Sequence, residues 1–141
     1  LTLSQSSPLT GAVVVTTPQD IALIDAKKGL KMFEKVNVPL LGIVENMSVF
    51  ICPCCGEVTH IFGEGGAKRM SEQYGVPMLG ELPLSPAIRE AADSGRPTVA
   101  AEPESAAAKM YRAIAMKIAG SIAKLGKDYT ARMPTISVKN D

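Results

Sequence analysis

The residues able to do metal or redox chemistry are concentrated in one short stretch. All three cysteines of the 141-residue chain fall in Cys52-Pro53-Cys54-Cys55, and the only histidine, His60, follows close behind. Two thiolates in a Cys-x-x-Cys turn can point to one side and grip one metal. Pro53 stiffens that turn, and Gly56 permits tight backbone geometry directly after the second sulfur. Structural zinc sites and iron–sulfur clusters take four protein ligands, so one pair is not enough. The remaining ligands must come from Cys54, from His60 or from another copy of the chain. Adjacent Cys54 and Cys55 would bind one ion only with strain, and Cys54 reads as a bystander. His60 stands at a plausible ligand spacing from Cys55, which leaves a mononuclear zinc site open, although a solvated loop histidine is the commoner case. A two-fold dimer solves the count more simply, since two copies of Cys52 and Cys55 supply four thiolates. Spacing alone leaves zinc and iron–sulfur equally open. A redox disulfide is less favoured, because thioredoxin-like motifs open a helix and this one follows a strand.

No second constellation carries catalysis. One histidine without a partnered nucleophile argues against a Ser/His/Asp or Cys/His enzyme. Thr16, Thr17 and Asp20 fall where a strand gives way to a helix, and in open α/β sheets ligands collect beyond such strand ends. Plain helix capping is the favoured reading of these three. Asn46 ends the next strand at the same edge of the sheet, where ligand contact and turn initiation are equally open. Gly63-x-Gly65-Gly66 precedes a helix and could hold an anion, but no strand leads into it, so loop flexibility explains it better.

These residues need elements to position them. Gly11-Ala12-Val13-Val14-Val15-Thr16-Thr17 is a continuous β-branched run, as expected of a parallel strand buried on both faces. Thr17-Pro18-Gln19-Asp20 predicts a helix start, with Thr17 as N-cap, Pro18 at the first position and an acid in the first turn. Leu23, Ala26, Leu30 and Phe33 then recur at helical spacing. Leu40 to Asn46 reads as a second buried strand. Residues 47–66 show no clear period and read as a loop. Ala67 to Tyr74 predicts a short helix closed by Gly75, and Val76 to Leu82 a third, weaker strand. Ser85-Pro86 opens a helix that Arg96-Pro97 breaks. Pro103 opens the last helix, with Met110, Ile114, Ile118, Ile122 and Leu125 on one face. Strands alternating with helices predict an α/β fold with a parallel sheet and right-handed crossovers. Three visible strands make a small sheet. That fact and the initial Leu1 lead us to expect a fragment or processed product, with one domain portion over residues 1–126 and a polar tail, disordered, over 127–141.

Composition narrows the classes. Lys and Arg number 15 against 14 Asp and Glu, a near balance that argues against a nucleic-acid binder. With no Trp and 4% aromatic residues, any core is aliphatic. No apolar run approaches the ~18 residues of a membrane span, and the N-terminus lacks the basic and apolar regions of a signal peptide. Clustered thiols without an export signal point to the reducing cytoplasm.

Five segments in order resemble a known family: Thr16-Thr17-Pro18-Gln19-Asp20; Gly42 to Ser48 (GIVENMS); Cys52-Pro53-x-Cys55-Gly56; His60-Ile61-Phe62-Gly63; and Gly80-Glu81-Leu82-Pro83-Leu84. Together they look like the C-terminal half of the Mrp/ApbC-type iron–sulfur cluster carriers, P-loop ATPases of the MinD-like branch. The similarity runs from about Leu1 to Leu125. Each motif is weak alone; their order and spacing are specific. The resemblance implies a cytoplasmic homodimer that holds a labile 4Fe-4S cluster between two Cys-x-x-Cys pairs and passes it to apo iron–sulfur proteins. Cys52 and Cys55 match the family's metal ligands. Asn46 matches a residue near the adenine base, and Pro83, Leu84 and Ser85 lie where the family walls that base. The family's Gly-Lys-Ser/Thr phosphate loop and acidic magnesium-binding segment are absent here. Phosphate cradling and Mg²⁺ placement need them, so ATP hydrolysis is expected of a full-length parent and not of this chain alone. Two rival readings stand beside this one: a structural zinc module without transfer activity, and a MinD-like nucleotide-dependent regulatory protein in which the cysteines matter little.

Overall fold

The computed structural model describes residue 2 and residues 6–125. The expected polar tail over 127–141 lies outside the described residues. Among the described residues, from Ala12 onward, the elements follow in this order: β1 (Ala12–Thr16), α1 (Asp20–Lys35), β2 (Leu40–Glu45), β3 (Phe50–Ile51), β4 (Val58–Thr59), α2 (Gly66–Tyr74), β5 (Met78–Glu81), α3 (Pro86–Asp93), α4 (Thr98–Ala101) and α5 (Ala106–Lys124). The three longer strands form one parallel sheet in the order β1-β2-β5, and β3 and β4 pair separately as an antiparallel hairpin. This is the α/β parallel arrangement that the alternating pattern predicts.

Helices cover both faces of the sheet, so the core has two halves. On one face Leu23, Ala26 and Leu30 of α1 and Ala67 and Met70 of α2 pack with Val14, Ile43 and Val76. On the other, Ile114 of α5 packs with Val44, Leu79 and Leu82. Leu30 and Ile43 are fully buried, as their places in the helical and strand patterns require. Close approach of α2 to α1 depends on Gly66: a Cβ there would stand 2.7 Å from the Leu23 side chain and 2.9 Å from the Pro18 carbonyl oxygen.

Several boundaries differ from the sequence expectation. The strand β1 is not buried on both faces. Val15 is 62% exposed, because β1 is an edge strand and α5 packs over β2 and β5 instead. The helix α1 starts at Asp20, with Gln19 rather than Thr17 in the capping position and no side-chain cap. The Thr17 hydroxyl donates to the side-chain oxygen of Gln19 instead. The last helix starts at Ala106, not at Pro103. Ser105 is its cap, accepting a hydrogen bond from the Ala108 N–H at 3.1 Å, while the Pro103 carbonyl accepts from the Arg112 guanidinium. Of the apolar stripe expected on this helix, Ile114 is buried and Ile118 partly so, whereas Met110, Ile122 and Leu125 remain exposed, since the helix outruns the strands beneath it. The short α4 between Pro97 and Pro103 was not expected. The cap at Ser85, with Pro86 in the first turn, and the left-handed Gly75 closing α2 match the expectation.

Candidate metal centre

The loop expected over residues 47–66 contains the hairpin, which carries the cysteine turn at its tip. Phe50 pairs with Thr59 and Ile51 with Val58. Beyond them the Cys52 N–H donates to the Glu57 carbonyl at 2.9 Å, and the Gly56 N–H donates to the Cys52 carbonyl at 2.8 Å. Gly56 adopts a left-handed conformation, φ +74°, which an L side chain would resist. The turn is therefore held by backbone bonds on both sides of the sulfurs. All three cysteines are free of disulfides; Cys52 is half-buried, and Cys54 and Cys55 are exposed.

The electrostatics of the turn single out Cys52. The Cys55 backbone N–H first, then that of Cys54, with a further contribution from the Cys55 thiol, stabilise its thiolate and hold its pKa below the ordinary thiol value against a small opposing effect of burial. The thiolate is the form able to ligate metal, and the fold favours that form at Cys52. His60 is not drawn into the site. Its Nε2 lies 3.9 Å from a Glu64 carboxyl oxygen, and among the described residues no three His, Cys, Asp or Glu side chains converge as a metal site. The turn thus gathers its thiols, with Cys54 and Cys55 both close enough to Cys52 to act on its thiolate, while His60 stands with Glu64.

The nucleotide-wall candidates lie next to the strand that enters this hairpin. Asn46 follows directly on β2, and its N–H donates to the Thr16 carbonyl at 2.7 Å. Its side-chain oxygen accepts from the Met47 N–H at 3.0 Å, and Met47 takes φ +56°, an uncommon conformation for a non-glycine residue. From there the chain runs beside residues 82–84. The Leu82 N–H donates to the Glu45 carbonyl at 2.8 Å, the Ser48 N–H to the Leu82 carbonyl at 3.0 Å and the Leu84 N–H to the Val49 carbonyl at 2.8 Å. Phe50 and Leu84 form a further parallel bridge. Asn46 and Pro83–Leu84–Ser85 therefore share one end of the sheet, and the same run of backbone bonds ties that end to Cys52.

Two polar residues here escaped the sequence reading. Glu45 is 2% exposed, and its carboxyl accepts the Ala67 N–H at 2.8 Å, in the first turn of α2. The glycines before α2 offer no side-chain cap of their own, so a distant carboxyl meets the electropositive helix end. The anion reading of Gly63-x-Gly65-Gly66 is thereby resolved internally, and these glycines serve tight geometry: Gly63 and Gly65 have φ +99° and +69°. A lone acid closing an apolar strand run, followed by an uncapped helix, was the available signal. Ser48 is 3% exposed, and its hydroxyl has no partner among the described residues.

A parallel sheet with helices on both faces, and a ligand edge at the strand ends, is the architecture of a P-loop NTPase portion, here with a thiol hairpin inserted after its second strand. Solved structures agree: the cell division ATPase MinD from Pyrococcus furiosus superposes with a TM-score of 0.58 at 32% identity, over 83% of this chain and 44% of that one. A nucleotide-binding protein of Archaeoglobus fulgidus, solved in complex with ADP, gives 0.56 at 38% identity over 68% of this chain and 38% of that one. The family model of the NUBPL iron-transfer P-loop NTPases matches residues 1–119, and this chain belongs to that family. Similar proteins include the iron-sulfur cluster carrier protein of Escherichia coli K12, 58% identical over 86% of this chain and 33% of its own length. Another is the iron-sulfur cluster transfer protein NUBPL of Mus musculus, 53% identical over 84% of this chain and 37% of its own length. The chain spans between about a third and two fifths of the length of the curated relatives it matches.

Proposed function

We propose that this chain is the cluster-holding portion of an iron–sulfur cluster carrier. Thiolates of Cys52 and Cys55 bind iron, and the same pair from a second copy completes the ligand set of a shared 4Fe-4S cluster. The observation that carries this reading is the Cys52 and Cys55 pair at the tip of a hairpin whose turn is held by backbone bonds, with no closed metal site gathered around it among the described residues. A closed zinc site needs four ligands, more than gather among the described residues. Exposed Ile51, Val58 and Ile61 flank the turn and suit burial against the second copy. The relatives' names support iron–sulfur cargo.

The cluster is cargo. On transfer, each Fe–S bond to Cys52 or Cys55 is replaced by one to an acceptor thiolate. The acceptor thiols give up their protons, the released carrier thiolates become free to take protons up, and no electron moves. An exposed two-fold site lets the cluster depart without unfolding either copy. In a full-length parent, ATP with Mg²⁺ would place its base between Asn46 and Pro83, Leu84 and Ser85, acting on the cysteine hairpin through the backbone bonds at residues 48–50. Among the described residues no helix is long and apolar enough to cross a membrane, and a cytoplasmic setting suits labile thiol-bound iron.

Anaerobic reconstitution with iron and sulfide tests the reading. The wild-type chain should gain the broad visible absorbance of a 4Fe-4S cluster, and the Cys52→Ser/Cys55→Ser variant should not. Equal absorbance in both, or stoichiometric zinc in protein isolated without oxygen, overturns it.

A further inference from the structure

The carrier reading uses two of the three thiols on the turn and leaves Cys54 without a task. On spacing alone Cys54 is a bystander, but its place in the fold is not that of one. The Gly56 N–H closes onto the Cys52 carbonyl at 2.8 Å, so Pro53, Cys54 and Cys55 make up the whole of the enclosed loop. Cys54 and Cys55 are both exposed and both carry free thiols. Each also stands close enough to the half-buried Cys52 for its thiol and its N–H to act on the Cys52 sulfur. Cys52 is thus the common neighbour of two similar partners. Among the described residues no three donors gather as a metal site, so Cys54 is not placed as a third ligand beside the other two. What the turn offers is a choice of pairs, Cys52 with Cys55 or Cys52 with Cys54.

We propose that Cys54 is a stand-in ligand, which takes over from Cys55 on the iron that Cys55 held while Cys52 stays bound. The proposal rests on the carrier reading above and gives the chain a second way of holding its cargo. In the exchange the iron–sulfur bond to Cys55 breaks and one to Cys54 forms. Cys54 gives up its thiol proton, the released Cys55 thiolate takes one up, and no electron moves. The iron keeps a thiolate throughout, where loss of Cys55 would otherwise leave it with inorganic sulfide alone. The stand-in pair is the weaker of the two. Cys52 and Cys54 are one residue closer than Cys52 and Cys55, and the fixed φ of Pro53 lies between them, which limits how far the two sulfurs can spread over a cluster. A loosely held state of this kind suits hand-off, because an acceptor thiolate then displaces a weaker bond.

The test compares Cys54→Ala, Cys55→Ala and the double Cys54→Ala/Cys55→Ala chain after anaerobic reconstitution with iron and sulfide. Alanine leaves no oxygen that could replace sulfur, and both positions are exposed on a turn held by backbone bonds. Cys54→Ala should load as the wild type does. Cys55→Ala should still gain the visible absorbance of the cluster, and a ferrous-iron chelator should strip it faster than from the wild type. The double variant should lose the absorbance. In the loaded Cys55→Ala chain, Cys54 should resist iodoacetamide until the cluster is stripped. A second comparison needs no change at Cys55: in loaded chains, iodoacetamide should label Cys55 faster in the wild type than in Cys54→Ala, where nothing replaces it on iron. Failure of Cys55→Ala to load, equal loading of Cys55→Ala and the double variant, or equal labelling of Cys55 with and without Cys54 overturns the stand-in role and leaves the carrier reading intact. Loss of loading in Cys54→Ala alone overturns it too, since a stand-in is dispensable while Cys55 is present. A wild-type chain that takes up no cluster overturns both.

Discussion

Cys52 is the residue on which the chemistry turns, and its environment makes a pH-dependent claim. Backbone N–H groups of Cys55 and Cys54 lower its pKa in the folded chain. In the unfolded chain that thiol should titrate near the usual value, about 8.5. A lowered folded pKa means that the fold favours the thiolate. The stability this confers is complete above the unfolded value and is lost as pH falls through the folded one. Site-resolved alkylation by iodoacetamide should therefore reach half its maximal rate at lower pH for Cys52 in the folded chain than in the urea-unfolded chain. Coincident profiles would contradict the assigned environment. Glu45 makes a second claim at this scale. Glu45→Ala strands the Ala67 N–H in a buried place, which costs about 1–3 kcal/mol. Glu45→Gln keeps an acceptor and should cost less. Urea denaturation of the two variants checks the order, and equal losses would show that the hydrogen bond is not what holds α2.

At the scale of elements, β1 has an open side. The Ala12 N–H and the Thr16 carbonyl are bonded toward β2, and alternation along the strand turns the backbone groups of Val13 and Val15 outward. Proline is tolerated on a strand edge and not where its N–H would be bonded. Val15→Pro should thus melt near the wild type, while Val14→Pro should lose several degrees or fail to fold; a reversed order in thermal melts would refute this strand direction. Most of the large elements were legible in the sequence, because their signals are long: a β-branched run for β1, the spacing of Leu23, Ala26 and Leu30 for α1, the Gly75 stop for α2. The hairpin was not, since strands of two residues carry no measurable period, and its pairing is set by backbone bonds around Cys52 and Gly56. The shift of the last helix from Pro103 to Ser105 has a similar cause. Two cap signals stood close together, and the one whose oxygen reaches an orphan N–H, on Ala108, prevailed.

For the whole molecule, the sulfur pair was legible as a candidate metal site, whereas its surroundings were not, because convergence of donors is a property of the fold. Among the described residues no three-donor group forms around His60, and Cys52 and Cys55 are free thiols. The proposed carrier reading requires one arrangement, in which the cysteine turn at the tip of the hairpin meets the same turn of a second copy. Native mass spectrometry of the anaerobically reconstituted chain examines that arrangement most directly. The account predicts a single 4Fe-4S cluster bound by two chains, with the dimer disappearing when the cluster is chelated away. A metal ion held stoichiometrically by one chain, with no cluster-bridged dimer, would contradict it.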